Sequence, residues 1–169
     1  MRREIPLTRG YVTFVDDADY ARVMDAGPWQ TVINKSTGMV YALRTVAKPD
    51  GRPTTQRLHR FILGLIDPKV QVDHRNRNGL DNQRHNLRIA TPSQNGANRS
   101  KQRGTSSRFK GVHWNKRQQR WVAYLYVNRK RIYLGIFADE LSAARAYDAF
   151  ARKHFGEFAK LNFSQKKKG

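Results

Sequence analysis

Short runs of alternating apolar and polar residues mark the first seventy positions, and a period of two predicts β-strands. Between the first two runs, Asp16 and Asp17 can cap a helix that the pair Gly27-Pro28 then ends. Asp50-Gly51 is a further turn signal. The pattern therefore predicts a short-stranded α+β segment, with strands at 11–15, 40–43 and 70–72 and a short helix at 58–64.

Residues 87 to 95 combine a short strand with the clearest helix start in the chain. Leu87–Ala90 alternates as a brief strand. After it, Thr91 is a good N-cap, Pro92 suits the first helical position, and Gln94 completes a capping box. The order strand, long loop, strand, helix places Asn95 in the first turn of a rigid helix, facing the end of the first of these strands.

The segment beyond Phe109 has a different pattern, three strands followed by one helix. In the middle strand, Trp121 and Ala123 point to one face, and Tyr124 and Tyr126 point to the other. One face is therefore expected to be core. The predicted strands are 109–114, 120–127 and 131–137, and the predicted helix is 139–154, with Leu141, Ala144, Tyr147 and Ala151 covering the sheet.

The charge of the chain narrows the class of partner. Among 169 residues, 33 Lys and Arg side chains face 13 Asp and Glu, which gives a formal net charge of +20. No acidic residue lies between Asn82 and Ala138. A segment of one sign repels itself unless a polyanion neutralises it, so nucleic acid is the expected partner. An anionic membrane is the lesser alternative, because no basic helix carries a broad apolar face.

Composition excludes several classes of protein and chemistry. No apolar run reaches the roughly 18 residues of a membrane span, and no apolar region behind Met1-Arg2-Arg3 suggests a secretory signal. The absence of cysteine rules out disulfides, thiolate zinc sites and cysteine nucleophiles. A soluble protein of the reducing cytosol is expected.

Asp73, His74 and Asn95 supply the groups that metal-dependent hydrolysis of a phosphodiester needs. His74 can take a proton from water at physiological pH. Asp73 offers carboxylate oxygens and Asn95 an amide oxygen, and such hard ligands predict one Mg²⁺ (or Mn²⁺) rather than zinc. Asp73 and His74 can share one site only if their strand ends there, because adjacent strand residues point to opposite faces. Asn86, between the loop and the next strand, is expected to pin the loop and orient His74.

Four motifs carry a resemblance to a known family: Val72-Asp73-His74, Asn78-Gly79-Leu80-Asp81-Asn82, Asn86-Leu87-Arg88 and Ser93-Gln94-Asn95. Together they resemble the HNH nucleases of the ββα-metal class, particularly phage homing endonucleases. The resemblance implies that Asp73 and Asn95 bind the metal, and that His74 as general base and Asn86 as its structural support form the catalytic pair. His59, on a segment similar to the helix that precedes such motifs, is expected to be packed or to face phosphate, and His85 to be exposed.

A second resemblance rests on Lys110-Gly111-Val112, Arg120–Ala123, Tyr133–Phe137, Ala143–Asp148 and Leu161-Asn162-Phe163. These motifs resemble the DNA-binding domain of plant ethylene-response factors, the Apetala type. The resemblance implies that the exposed face of a three-stranded sheet enters the major groove of double-stranded DNA. Trp121, on the opposite face, is expected in the core.

The expected DNA-binding residues combine that sheet face with the basic segment before it. Several sheet positions depart from the plant pattern, where Arg or Trp is common, so the plant target sequence is not transferred. For the tyrosines, ordinary strand propensity is the competing interpretation. The expected DNA-binding residues are Arg99, Lys101, Arg103, Lys110, His113, Asn115, Arg117, Arg120, Tyr126, Arg131 and Tyr133.

The predicted fold class is α+β, a ββα-metal HNH nuclease domain followed by a three-stranded antiparallel sheet packed on one helix. Apolar residues nearly vanish from Gly96 to Ser107, which is typical of a linker. The predicted limits are 1–99 for the nuclease domain with its N-terminal α+β extension, 100–108 for the basic linker, 109–164 for the DNA-binding domain and 165–169 for a basic tail.

The predicted function is a metal-dependent DNA endonuclease of the homing type, which acts as a monomer or as a dimer assembled on DNA. Neither a membrane nor a small-molecule substrate is expected. The resemblance suggests a phage-encoded protein in the cytoplasm of a bacterial host. Two alternatives stay open: a DNA-binding regulator with a vestigial nuclease motif, and a basic RNA-binding protein, which explains the charge but not the spacing of Asp73, His74 and Asn95.

Overall fold

The computed structural model describes residues 1–101 and 104–163. The chain divides into two compact units, Met1–Ala90 and Thr91–Gly169, which are taken one at a time below. Arg103 and the predicted basic tail lie outside the described residues, and the four predicted domain limits remain a prediction. Within the described ranges, no helix is long and apolar enough to cross a membrane.

The first unit mixes seven short strands with two helices, as the α+β prediction requires. In chain order they are β1 (Arg2–Pro6), β2 (Val12–Asp16), α1 (Asp17–Ala26), β3 (Gln30–Ile33), β4 (Val40–Ala47), β5 (Pro53–Arg57), α2 (Leu58–Ile62), β6 (Gln71–His74) and β7 (Leu87–Ala90). The strands form three small antiparallel sheets: β1 with β2, β3-β4-β5, and β6 with β7. The hairpin of β6 and β7 carries Asp73 and His74.

The core of the first unit lies between its helices and its sheets. Val15, Val23, Leu58 and Ile62 are fully buried there, and Trp29 donates its indole N–H to the Val23 carbonyl at 2.8 Å. The predicted helix between Asp16 and Gly27 is confirmed as α1. The Asp16 side chain makes no capping hydrogen bond, because its carboxylate accepts from Gln83 Nε2 and the Arg84 N–H instead. β1, β3 and β5 were not predicted.

The second unit is a three-stranded antiparallel sheet packed on a helix, as predicted. Its elements are α3 (Pro92–Asn98), β8 (Val112–Asn115), β9 (Arg120–Val127), β10 (Lys130–Phe137) and α4 (Glu140–Phe155), with the strands in the order β10-β9-β8. Ala144, Tyr147 and Ala151 of α4 are buried against the sheet, whereas Leu141 is exposed. β8 begins three residues later than the predicted strand, because Phe109 and Gly111 lie in the turn that precedes it.

The predicted capping box at the start of α3 is confirmed. Thr91 Oγ1 accepts the Gln94 N–H at 3.2 Å, and Gln94 Oε1 accepts the Thr91 N–H at 2.8 Å. The interpretation of Gly96 onward as linker was wrong for its first residues. Ala97 is buried among Leu125, Tyr147 and other core residues of the second unit, so this part of the segment belongs to a docked helix.

Candidate functional site

Asp73 and His74 are the last two residues of β6, and both are buried, with 5% and 4% of their surface exposed. The strand ends at His74, and the chain turns at once, because the Arg77 N–H donates to the His74 carbonyl at 2.9 Å. This is the strand end that the sequence required. The two neighbouring side chains therefore lie at the mouth of the loop that joins β6 to β7.

Asp73 forms a buried salt bridge that the sequence motifs did not reveal. Arg88 lies directly opposite Asp73 in the β6–β7 pair. Its Nε and Nη2 atoms donate to Asp73 Oδ2 at 2.9 and 2.7 Å, and both side chains are buried. An antiparallel pairing of the two strands places opposite charges face to face. The register was therefore the signal from which Arg88 could have been inferred.

Asn82 fixes the tautomer of the His74 imidazole. Asn82 donates its amide N–H to Thr13 Oγ1 at 2.8 Å, and Thr13 in turn donates to the Leu80 carbonyl at 2.7 Å. The amide oxygen of Asn82 therefore faces His74, and its distance to Nε2 is 3.2 Å. A carbonyl oxygen can only accept, so neutral His74 carries its proton on Nε2, and Nδ1 is the basic atom.

A second histidine lies against the first. The rings of His59 and His74 meet edge to face with centroids 5.1 Å apart. Burial is the main cause that lowers the pKa of His74, and the bond to Asn82 and the charge of Asp73 oppose it. Burial, and after it the proximity of His74, lowers the pKa of His59 to about 3. Both imidazoles are therefore neutral at neutral pH, and His59 is packed, one of the two roles expected for it.

Asn86 forms hydrogen bonds to the loop between β6 and β7 through both polar atoms of its side-chain amide. Its Oδ1 accepts the Asn76 N–H at 3.0 Å, and its Nδ2 donates to the Asp81 carbonyl at 2.7 Å. Its own carbonyl accepts the Arg75 N–H at 2.9 Å. These bonds fix the start and the end of the loop beside His74. His85, next to Asn86, is exposed as predicted.

The loop approaches β4 closely at Gly79. A Cβ atom there would lie 2.4 Å from the Val40 carbonyl oxygen and 2.6 Å from the ring of Tyr41. The Tyr41 ring in turn lies 5.9 Å from that of His74. In the sequence Gly79 is one residue of the Asn78–Asn82 motif, and the structure shows that the close packing of the loop requires a glycine there.

The predicted metal ligands lie in different units. Asp73 belongs to the first unit, and Asn95 to the first turn of α3 in the second. Among the residues that the structure describes, no three His, Asp or Glu side chains cluster as a metal site. The assignment of Asp73 and Asn95 to one Mg²⁺ or Mn²⁺ ion stays a prediction.

The second unit presents the expected polar side chains on one face of its sheet. The strand register aligns His113 with Val122, Asn115 with Arg120, and Arg131 with Tyr126. Cross-strand partners share a face, and this is the face opposite to the buried Ala123 and Leu125. The exposed residues on it include Arg120, Tyr126, Arg131 and Tyr133, with 56% of Tyr126 and 61% of Tyr133 accessible.

Aromatic and basic groups are interleaved on that face. The Arg131 guanidinium lies over the Tyr124 ring, 4.4 Å from its centroid, and His113 meets the same ring at 5.2 Å. Burial and the charge of Arg131 lower the pKa of His113. The Nδ1 atom of His113 is buried and has no hydrogen-bond partner in the described part of the chain.

The remaining predicted DNA contacts are distributed around the sheet. Arg117 is exposed in the β8–β9 turn, where Asn115 Oδ1 accepts its backbone N–H at 3.1 Å. Arg99 is exposed, and Lys101 is half-buried. Lys110 is directed elsewhere, because its ammonium group donates to backbone carbonyls at the end of α3. Whether each of these residues contacts DNA remains a prediction.

Comparison with known proteins agrees with this arrangement. Residues 107–157 match the AP2 domain family. An Acanthamoeba polyphaga mimivirus protein, described as an uncharacterized HNH endonuclease, is 38% identical over 111 residues, which cover 63% of this chain and 57% of that protein. An AP2/ERF and B3 domain-containing protein of Oryza sativa subsp. japonica is 47% identical over 58 residues, or 34% of this chain and 16% of the rice protein.

The plant relatives match the second unit of this chain, and the match covers only a small part of each plant protein. APETALA2-like protein 2 of Oryza sativa subsp. indica is 40% identical over 62 residues, which are 37% of this chain and 14% of that protein. No solved structure matches the chain. The chain thus spans little more than half of the mimivirus relative and a small part of the plant relatives. It joins an AP2 domain to sequence similar to an HNH endonuclease, the combination that the motifs indicate.

Proposed function

We propose that the protein is a metal-dependent DNA endonuclease of the HNH type, in which the first unit cuts DNA and the sheet of the second unit selects the site. The observation that carries the proposal is the buried neutral His74, fixed by Asn82 at the end of β6 and adjacent to Asp73. A neutral, oriented imidazole next to a carboxylate is suited to deprotonate water beside a cation.

His74 acts through Nδ1 in this proposal. Since the Nε2–H of His74 donates a hydrogen bond to Asn82 Oδ1, Nδ1 takes the proton of the attacking water. The Asn82 oxygen then stabilises the imidazolium that results. Asn86 keeps the loop in place around the reacting phosphate through its bonds to Asn76 and Asp81. The low pKa that burial gives His74 keeps the base unprotonated at physiological pH.

Asp73 and Asn95 are the proposed ligands of one Mg²⁺ or Mn²⁺ ion, the roles that the resemblance to HNH nucleases of the ββα-metal class implies. When bound, the ion would stabilise negative charge on the phosphate and on the leaving oxygen. The Arg88 guanidinium holds the Asp73 carboxylate in place. An ion at this carboxylate would share it with Arg88, which would lower the affinity of Asp73 for the cation.

The second unit provides the affinity for double-stranded DNA. The interleaved Tyr and Arg side chains of its exposed sheet face can brace phosphates and contact base edges, and a sheet fits the major groove. The strong positive charge supports the association. We further propose that a virus encodes the protein and that it acts in the host cytoplasm, as a monomer or as a dimer on DNA.

A plasmid-nicking assay tests the proposal. Wild-type protein is incubated with supercoiled DNA and Mg²⁺ or Mn²⁺ beside His74→Ala and the control His85→Ala, which changes an exposed histidine of the same loop. We expect His74→Ala to lose about 100-fold or more of the nicking rate and to keep its DNA affinity. His85→Ala should match the wild type. Equal nicking by the wild type and His74→Ala would refute the enzyme assignment.

A DNA-binding regulator with a vestigial nuclease motif is the second candidate. The buried Asp73–Arg88 pair favours it, since an arginine that neutralises the carboxylate needs no metal. The same assay separates the two functions. Tight DNA binding by a wild-type protein that does not nick with either ion would establish the regulator.

A further inference from the structure

Lys110 does not point its charge at the face where DNA is expected. Lys110 Nζ donates to the backbone carbonyls of Gly96 at 3.4 Å and Arg99 at 2.7 Å, and also to that of Ala97. A lysine ammonium has three N–H donors, and three carbonyl oxygens accept them here. The last carbonyls of a helix lack partners within the helix, and a cation there also favours the helix dipole.

Other bonds join α3 to the same unit. The Lys160 N–H donates to the Ala97 carbonyl at 3.0 Å, and the Asn128 N–H donates to Ser93 Oγ at 3.0 Å. Ala97 is buried in the core that Leu125 and Tyr147 form. A seven-residue helix is unstable by itself, so these contacts determine where α3 lies.

Lys110 is itself held firmly. Its backbone N–H donates to Asn162 Oδ1 at 2.7 Å, and its carbonyl accepts from Asn162 Nδ2 at 3.1 Å. Its ammonium group lies 6.0 Å from the centroid of the Tyr147 ring, which is buried. Both ends of Lys110 are therefore fixed within the second unit.

We propose that Lys110 is a positioning residue that holds α3, and with it Asn95, as a fixed part of the unit that binds DNA, and is not a phosphate contact. The inference rests on the proposed function, in which Asn95 is a metal ligand. Lys110 would then act on the proposed function only through Asn95, from within the second unit.

The test compares three variants of the full chain. Lys110→Met keeps the aliphatic stem beside Tyr147 but removes all three donors. Lys110→Arg keeps donors for the carbonyls and should rescue part of the loss. Arg117→Met is the matched control, because it removes a cation predicted to contact DNA from an exposed turn. For each variant, hydrogen exchange of the α3 amides, DNA affinity at several salt concentrations and the Mn²⁺ requirement for nicking are measured.

We expect Lys110→Met to lose protection of the α3 amides, and to need about 10-fold or more Mn²⁺ for half-maximal nicking, as loss of a group supporting a metal ligand does. Its DNA affinity and salt dependence should equal those of the wild type. Arg117→Met should show the reverse, with unchanged α3 protection and a salt slope lower by about one.

Two results would overturn the inference. Lys110→Met could behave as Arg117→Met is expected to, or it could leave the exchange of α3 unchanged. If Lys110→Met fails to fold, Lys110→Gln replaces it, because it also removes the ammonium group that reaches the three carbonyls, and unchanged α3 protection in that variant overturns the inference equally. A wild-type protein that binds DNA but never nicks would refute the nuclease, while the exchange and affinity measurements still decide the role of Lys110.

Discussion

The paired imidazoles of His59 and His74 are the most distinctive residues of the first unit. Both are buried, their rings touch, and burial lowers the pKa of each. The unfolded chain would bind protons at both positions with the ordinary pKa of about 6.5. The folded state therefore holds fewer protons than the unfolded state over the acidic range.

Stability should consequently fall as the pH is lowered from 6.5 towards 3, the window set by the pKa of His59. Unfolding takes up protons there, so stability rises with pH and is fully present above 6.5, with a slope of about 1.4 kcal/mol per pH unit for one proton. His59→Gln should make the slope shallower by about one proton, as measured by urea unfolding at several pH values. The exposed control His85→Gln should leave the slope unchanged. A slope in His59→Gln equal to that of the wild type would show that His59 is not buried in its neutral form.

Sequence could identify some residues of the candidate site and not others. Asp73, His74 and Asn86 occupy a spacing that indicates their chemistry. Arg88 and Asn82 carry no such signal by themselves, because their roles depend on strand register and on a partner, Thr13, that is remote in sequence. Non-local contacts of this kind are set by packing rather than by local pattern.

At the scale of elements, the sequence predicted the bounds of those helices and strands that local capping and alternation patterns determine. The capping box of α3 and the alternation in β9 place these elements within a residue or two of their observed bounds, and Gly27-Pro28 marks the end of α1. β1 and β5 lack an apolar alternation, since Arg2–Pro6 and Pro53–Arg57 contain almost only polar or charged residues and proline. Each lies at the edge of its sheet, where pairing with a neighbour determines the strand.

The packing of α4 on its sheet depends on Gly111. A Cβ atom there would lie 2.0 Å from the buried Tyr147 ring and 2.6 Å from the Tyr124 carbonyl oxygen, and φ is +73°. We expect Gly111→Ala to destabilise the second unit by about 3 kcal/mol or more, through overpacking and backbone strain. Gly104→Ala is the control, because its φ of +76° is similar but no atom lies within 4 Å.

Thermal unfolding of the two glycine variants distinguishes these contributions. The control should show only the cost of the left-handed backbone, about 1 kcal/mol. If both variants lose the same stability, the contact between Gly111 and Tyr147 is not tight.

The whole molecule carries a net charge of +20. Its acid-free segment, Asn82 to Ala138, includes all three strands of the sheet in the second unit. Its affinity for DNA should therefore fall steeply with salt, since each phosphate neutralised releases counterions. Arg131→Met removes a cation from the exposed sheet face, and should lower the slope of log affinity against log salt by about one.

Lys153→Met provides the comparison, because Lys153 is exposed on α4 and carries the same charge. Fluorescence anisotropy with a labelled duplex at several salt concentrations measures both variants. A similar decrease in slope for Lys153→Met would show that DNA does not distinguish the sheet face from the helix.

The hydrogen bonds between β2 and the loop that contains Asn82 limit how the candidate site could be transferred to another protein. Phe14 bonds through its N–H and its carbonyl to Leu80 and Asn82, and Thr13 supports the Asn82 side chain. A graft of the motif alone onto another scaffold would leave His74, the proposed general base, without the Thr13-anchored Asn82 that orients it. A functional transplant should therefore include β2 as well as the β6–β7 hairpin, and so most of the first unit.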